Sequence, residues 1–309
     1  MKTKNQEALK MYVRSREDIQ SLRKSMDNRL GKKADGSNQK VPERQFSAQD
    51  YKNFKEIRKY AKDGELLIEK MLKKLLQSFP VYNEFLKDVK GIGEVGCGWI
   101  LAEFDIKIAT TVSKMWQYAG MNGGEVRGKK RISKKKYKAE MGSIIKEMKN
   151  IKTKEIDLII QTNEMVRGDK LTSGFVSPFN KNLKAYLLGV LAPGFVKTQN
   201  DYALEFYYPY KNRLENSEKM TLETKKGGKR IDLMWKDCTK GHRNDAALRK
   251  MMKEFLKDVY TNWRKIEGLS VRVPYAEEYL GKIHNENRES KKPMVRGKRK
   301  IKEMSQTDK

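Results

Sequence analysis

Histidine and cysteine are almost missing from this chain, with two of each among 309 residues. Cys97 and Cys238 stand far apart and neither belongs to a Cys-x-x-Cys pair, which argues against a disulfide framework and against a zinc ribbon. His242 and His284 are too distant from one another to build the paired-histidine centre of an HNH-type nuclease. No Gly-rich Walker loop occurs, and no strand-like run ends in the acidic residues that a ribonuclease-H-type site gathers around metal ions. The sequence therefore offers no catalytic set, no metal site and no cofactor, and reads as a binder rather than an enzyme. Long apolar runs are missing too. Nothing approaches the roughly 18 residues of a membrane span, and the polar residues 1–6 carry no signal-peptide pattern. A membrane partner is not expected, and a cytoplasmic location is. Proline is scarce, at seven residues, and β-branched alternation is thin, so helices are favoured.

What is in excess is positive charge. Lys and Arg number 68 against 40 Asp and Glu, a formal charge of +28. Such an excess says little about fold and much about partners, and its natural complement is a polyanion that sheds counterions on contact. Nucleic acid is the expected partner, RNA foremost.

The pattern along the chain predicts an all-α protein. Residues 5–30 carry Tyr12, Ser15, Ile19, Leu22 and Met26 at three-four spacing, and 31–46 contain Asp-Gly, Ser, Asn and Pro, a linker or turn. Ser47 is a candidate N-cap for a second helix with Phe54, Ile57, Ala61, Ile68, Met71 and Leu75 at heptad positions and Gly64 where a core residue is due. The two together predict an antiparallel helical hairpin over 1–78, either one flank of a bundle or a coiled coil that dimerises. Over 79–105 a short amphipathic helix, a Gly-Ile-Gly turn and a helix rich in small residues resemble a helix-hairpin-helix. Gly91 and Gly93 permit positive φ there, so that backbone N–H groups of the next helix can face a phosphate; a tight turn without a ligand explains the same letters.

Beyond a short helix at 112–121 lies the most basic internal stretch. Arg127, Lys129, Lys130, Arg131, Lys134, Lys135, Lys136 and Lys138 include no acid among them, the composition of a phosphate-binding loop rather than of a solvated face of mixed sign. Helices are expected near 139–149 and 154–166. A loop then holds Arg167, Lys170, Asn180 and Lys181, with Asn182 and Lys184 following in an apolar helix; asparagine side chains can bond base edges or phosphates. Residues 199–216 form an aromatic helix whose rings, Tyr202, Phe206, Tyr207, Tyr208 and Tyr210, suit base stacking or, more commonly, core packing. The region 217–240, with its Gly-Gly pair, is expected to be a flexible loop. His242 and Arg243 open the last strong helix, 244–267, with a buried stripe of Leu248, Met252, Phe255, Val259, Trp263 and Ile266. A short helix at 274–281 precedes a basic tail, 282–309, expected to be disordered alone.

The succession DVKGIGEVGCGWILAEF, SKMWQYAGM, a Gly- and Arg-rich basic loop and NKNLKAYLLGVL resembles the C-terminal domain of bridge-RNA-guided insertion-sequence recombinases over about 80–195. Two departures separate the chain from them. It has the helical hairpin where they carry a ribonuclease-H-like domain, and Met121-Asn122-Gly123-Gly124 where they carry a reactive serine; Ser173-Gly174 lies beyond an insertion. The order of a long helical pair followed by an all-α RNA-binding domain is closer to the Tas proteins of TIGR-Tas systems, whose core is a Nop-like domain, and within them to the nuclease-less TasA type. That resemblance implies a Nop-like domain over 79–281 and a homodimer. It also implies a guide RNA with box C/D-like elements and pairing of that RNA to target DNA, any cleavage being left to a separate effector protein. The alternative reading is a transposase or recombinase of the bridge-RNA class with an unrecognised active site.

Overall fold

The computed structural model describes residues 3–30, 47–133, 157–224 and 230–272. The expected loop cations Lys134, Lys135, Lys136 and Lys138, the helix at 139–149, the linker at 31–46, the helix at 274–281 and the tail lie outside the described residues.

Helix α1 (Lys4–Arg29) begins at Thr3, where the hydroxyl accepts from the Gln6 N–H and the Gln6 side chain accepts in return from the Thr3 N–H. This reciprocal pair satisfies two of the donors a helix start leaves over. Helix α2 (Ala48–Leu76) begins at Ser47, whose Oγ accepts from the Asp50 N–H at 3.0 Å. Ion pairs link Arg16 to Glu69, Arg23 to Glu65 and Asp27 to Arg58, so numbers fall along α2 as they rise along α1 and the helices run antiparallel. The seam between them keeps only part of the stripe the heptads suggest, with Ala61 buried and Ile68 and Leu75 half-buried. Leu22, Phe54, Ile57 and Met71 are exposed, while Leu9, Val13, Ala61, Leu72 and Leu76 are buried, and Glu65 is buried with them. The distal half of the seam mixes Arg–carboxylate pairs with the contact of Ile19 on Gly64, so its apolar period is interrupted.

Helix α3 (Pro80–Glu84) leads to a turn in which Gly91 has φ 89° and Gly93 φ 60°. A Cβ on Gly91 would lie 2.5 Å from the Thr198 Oγ1, so the turn needs glycine for space as well as for φ. Helix α4 (Gly93–Glu103) follows and is buried from Gly96 to Glu103. Gly98 lets α1 and α2 approach, since a Cβ there would stand 3.0 Å from Val13 and 3.1 Å from Leu72. Helix α5 (Val112–Tyr118), capped by Thr111, then ends the first half of the core.

The protein is mostly helical but not all-α: it contains two small antiparallel sheets. Strand β1 (Glu125–Ser133) pairs with β2 (Asp157–Arg167), from Glu125 opposite Arg167 to Ser133 opposite Asp157, with an irregularity between Arg127 and Lys129. Two expectations are corrected here. The basic segment is a strand as far as Ser133 rather than a loop, and of the helix expected at 154–166 the described part, from Asp157, is its partner strand. The apolar clusters Leu158-Ile159-Ile160 and Met165-Val166 fit a helical face by spacing, but Ile, Thr and Val prefer a pleated surface once a partner strand is supplied.

A helical run then passes through α6 (Lys181–Tyr186), a π-helical segment (Leu187–Leu191) and α7 (Ala192–Lys197). A second π segment (Ala203–Tyr207) leads into α8 (Tyr208–Glu215). Strands β3 (Met220–Thr224) and β4 (Arg230–Met234) form a hairpin in the region expected to be a flexible loop. The last described element, α9 (Lys240–Ile266), is the core's largest contributor. Met251, Met252, Phe255, Leu256, Val259 and Tyr260 are all buried. Its far end is tied to the middle of the chain by Arg264, whose buried guanidinium donates to the carbonyls of Ile106, Ala109 and Ser270.

Candidate nucleic-acid interface

The candidate residues fall into three groups: an exposed cationic row, a cleft, and a set consumed by the framework. The row is on β1. Side chains alternate across a strand, and Arg127, Lys129 and Arg131 are exposed on one face together with Met165 and Ile159 of β2, which lie opposite Arg127 and Arg131. The other face is fastened down. A Cβ on Gly128 would stand 2.4 Å from the Phe175 ring, Lys130 spans that ring at 4.6 Å and pairs with Glu164, and the Val176 N–H donates to the Lys129 carbonyl at 2.7 Å. Lys130 is thus bound into the support, while its neighbours face outward.

The cleft, of about 650 Å³, lies between the turn at 168–170 and the first turns of the α6 run. Its walls are mostly apolar, with Leu171, Phe179, Ala185 and Leu188. Lys170 and Lys181 stand exposed at its margin. Deeper in, the half-buried Lys184 donates to the Asp169 carbonyl and lies 4.6 Å over the Phe179 ring. Burial holds the Lys184 ammonium below the ordinary lysine pKa; the charges of Arg249 and Arg167 push the same way, against the pull of Asp169. Arg167 closes on the buried Asp169 with two hydrogen bonds of 3.0 and 3.1 Å. Gly120, with φ 67°, keeps the backbone clear of this assembly, because a Cβ there would be 2.8 Å from both Phe179 and Lys184. Arg249 has a buried Nε with no hydrogen-bond partner among the described residues.

The remaining candidates do structural work. Asn180 caps α6 by accepting from the Leu183 N–H at 3.1 Å, and its amide donates to Glu103 at 2.7 Å and to the Tyr118 hydroxyl at 3.1 Å. Glu103 also receives Arg14 at 2.6 Å, so one buried carboxylate gathers α1, α5 and α6. Arg243 donates to the carbonyls of Trp235, Lys236 and Cys238, and His242 stacks on Trp235 with centroids 5.1 Å apart. Gly91 and Gly93 turn the chain into α4 as described, and Asn182 is exposed on α6. The aromatic cluster is packed in part: Tyr202 lies against Phe195 and Phe255 and bonds Asp258, Tyr207 is buried and bonds Asn244, Phe206 and Tyr210 are half-buried, and Tyr208 is exposed. Ser173 is exposed in a turn beside Gly174, φ 79°.

Sequence reasoning missed Asp169, Phe179, Arg249 and Glu103. The one usable signal was the acid inside Arg167-Gly168-Asp169-Lys170, an isolated carboxylate in a basic loop. Arg249 sits in the amphipathic α9 and Glu103 at the end of the buried α4, with nothing local to mark either. Among the described residues no helix is long and apolar enough to cross a membrane. Compared with known proteins, the chain matches no family model, no curated protein and no solved structure.

Proposed function

We propose that this chain is an RNA-binding protein that holds a guide RNA with box C/D-like elements and directs it to complementary DNA without a nuclease of its own. The observation that carries the reading is the outward row of Arg127, Lys129 and Arg131 beside a lysine-edged cleft, on a chain of charge +28. A row of cations spaced two residues apart on an extended strand grips a phosphate backbone without reading bases, and leaves sequence selection to the RNA. The guide, the DNA target and the Nop-like character of 79–281 rest on the order of a long helical pair followed by a helical domain, which resembles that of Tas proteins.

The reading includes a homodimer formed through α2. Ile57, Tyr60, Leu67 and Met71 leave an apolar heptad seam facing outward, where a second copy of the helix supplies the matching surface. Any cutting of DNA belongs to a separate effector. The test is to purify the full chain from its native cell and sequence what it carries. A set of RNAs of defined sequence and repeat structure supports the reading. Random fragments, displaced equally well by any duplex, overturn it.

A further inference from the structure

We propose that the cleft beside α6 seats one unpaired nucleotide of the bound RNA, its base against the apolar walls and its phosphate toward Lys184. The inference deepens the RNA-binding reading and rests on it. The cleft is shallow and open to solvent, so it suits the exposed face of an unstacked base laid against its wall, a face that the stacked bases of a duplex do not present. The wall and margin have the two chemistries of that ligand on adjoining surfaces. Leu171, Phe179 and Leu188 offer an apolar surface for a base, and Lys170 and Lys181 flank it where the strand's phosphates enter and leave.

The charge balance in the cleft is incomplete. Lys184 feels the charges of Arg167 and Arg249 against a single nearby carboxylate, Asp169, and Arg167 already engages both oxygens of that carboxylate. Lys184 spends one donor on the Asp169 carbonyl and has three to give. A surplus of cations partly withdrawn from water is stabilised by an anion brought to it. A phosphate satisfies that need, and the base attached to it covers apolar wall that is open to solvent. The π-helical segment shapes the opening. Gly189 lines the cleft, and a Cβ added to it would meet nothing within 4 Å, so this side of the site is clear.

The experiment uses the full chain purified with RNA carrying 4-thiouridine and 6-thioguanosine, followed by irradiation and sequencing of cross-linked peptides. Cross-links on residues 171–189 are expected. They should fall at least tenfold in Leu188→Trp, which fills the cleft, while cross-links on β1 persist. Gly189→Phe blocks the same space from an open position and serves if the tryptophan variant does not fold. RNA that copurifies and cross-links on β1 alone overturns the nucleotide site but leaves the RNA-binding reading standing. Absence of any defined RNA overturns both. In a parallel arm, uridine 5′-monophosphate at millimolar concentration is added to RNA-stripped protein. A rise in Tm that Gly189→Phe abolishes, with no cross-link from the polymer, assigns the cleft to a free nucleotide and overturns the RNA strand as its occupant.

Discussion

Replacing Asn180 separates a framework role from an RNA contact at a residue whose sequence context suits either. The amide does two things at once. Its oxygen caps α6, and its nitrogen donates to Glu103, whose side chain is 2% exposed, and to Tyr118. An N-cap contributes about 1 kcal/mol. A hydrogen bond to a charged group adds roughly 1.5–3 kcal/mol, and the partial exposure of Asn180 places the total for Asn180→Ala near the lower end, about 2–3 kcal/mol. Asn180→Asp is the sharper perturbation. Aspartate caps a helix as well as asparagine does, so a site that only caps would tolerate it. Here it sets a second carboxylate where the donor stood 2.7 Å from Glu103, and the expected cost equals or exceeds that of alanine. Urea unfolding followed by circular dichroism reads both variants. At an m-value of about 3 kcal/mol/M, the alanine variant should unfold near 1 M lower in urea. RNA affinity measured on fully folded variants should change less than threefold. A stable Asn180→Asp, or a tenfold loss of affinity with the fold intact, would refute the reasoning.

Replacing Arg127, Lys129 and Arg131 together by Gln should leave the fold intact by circular dichroism. It should reduce the slope of log K against log salt for RNA binding by about 2–3, read by fluorescence anisotropy across a salt series; an unchanged slope returns the row to an ordinary solvated surface. Gly120→Ala forces a side chain into a φ of 67° and against Phe179 and Lys184, and should destabilise by about 2–4 kcal/mol in thermal unfolding, unlike Gly241→Ala, whose Cβ meets nothing. Asp27 has its pKa lowered, first by the hydrogen bond from Arg58, so its stabilisation is present above the ordinary carboxylate range and is lost as pH falls through the depressed folded value. Asp27→Asn should therefore destabilise at pH 7 and converge with wild type only in strong acid; a pH-independent difference would contradict the ion pair. If Ser173 is no nucleophile, Ser173→Ala should leave RNA binding and any strand-cleavage readout on supercoiled DNA unaltered, whereas loss of a magnesium-dependent cleavage would move the chain into the recombinase class.

The sequence was most legible where local and global preferences agree. The Ser47 cap and the α9 stripe are each written within a few neighbouring residues, and the structure places the cap at Ser47 and buries Leu248, Met252, Phe255, Val259 and Trp263. The strands were hidden for different reasons. In β1 the alternation of Val126, Gly128 and Lys130 with Arg127, Lys129 and Arg131 is obscured because both faces carry cations, so charge density was the visible signal. In β3 and β4 the two runs Met220–Thr224 and Arg230–Met234 flank a Gly-Gly pair, a hairpin pattern overshadowed by the polarity of a sheet largely open to water. The cleft was legible only in its lysines. Its acid and its aromatic wall are meaningful because the fold brings them to Lys184, whose surroundings also include the charge of Arg249, 65 positions further along the chain.

The anchoring of α9 has a consequence for how the protein is made. Trp116 donates to the carbonyl of Lys253, Tyr260 to that of Thr110, and Arg264 to those of Ile106 and Ala109, at sequence separations of 137 to 158. Helix α4 can pack on α1 and α2 as it emerges, but α5 and the segment before it leave the ribosome without α9 and wait for it until nearly all of the described chain has followed. The basic strand β1 emerges in that interval, ahead of Phe175 and Val176, which support it. During synthesis the most cationic segment is therefore exposed before the framework that positions it. The proposed RNA partner, if present at that stage, would meet the cationic segment before the surface that positions it, so RNA added during synthesis and RNA added to the finished chain are different tests of the proposal.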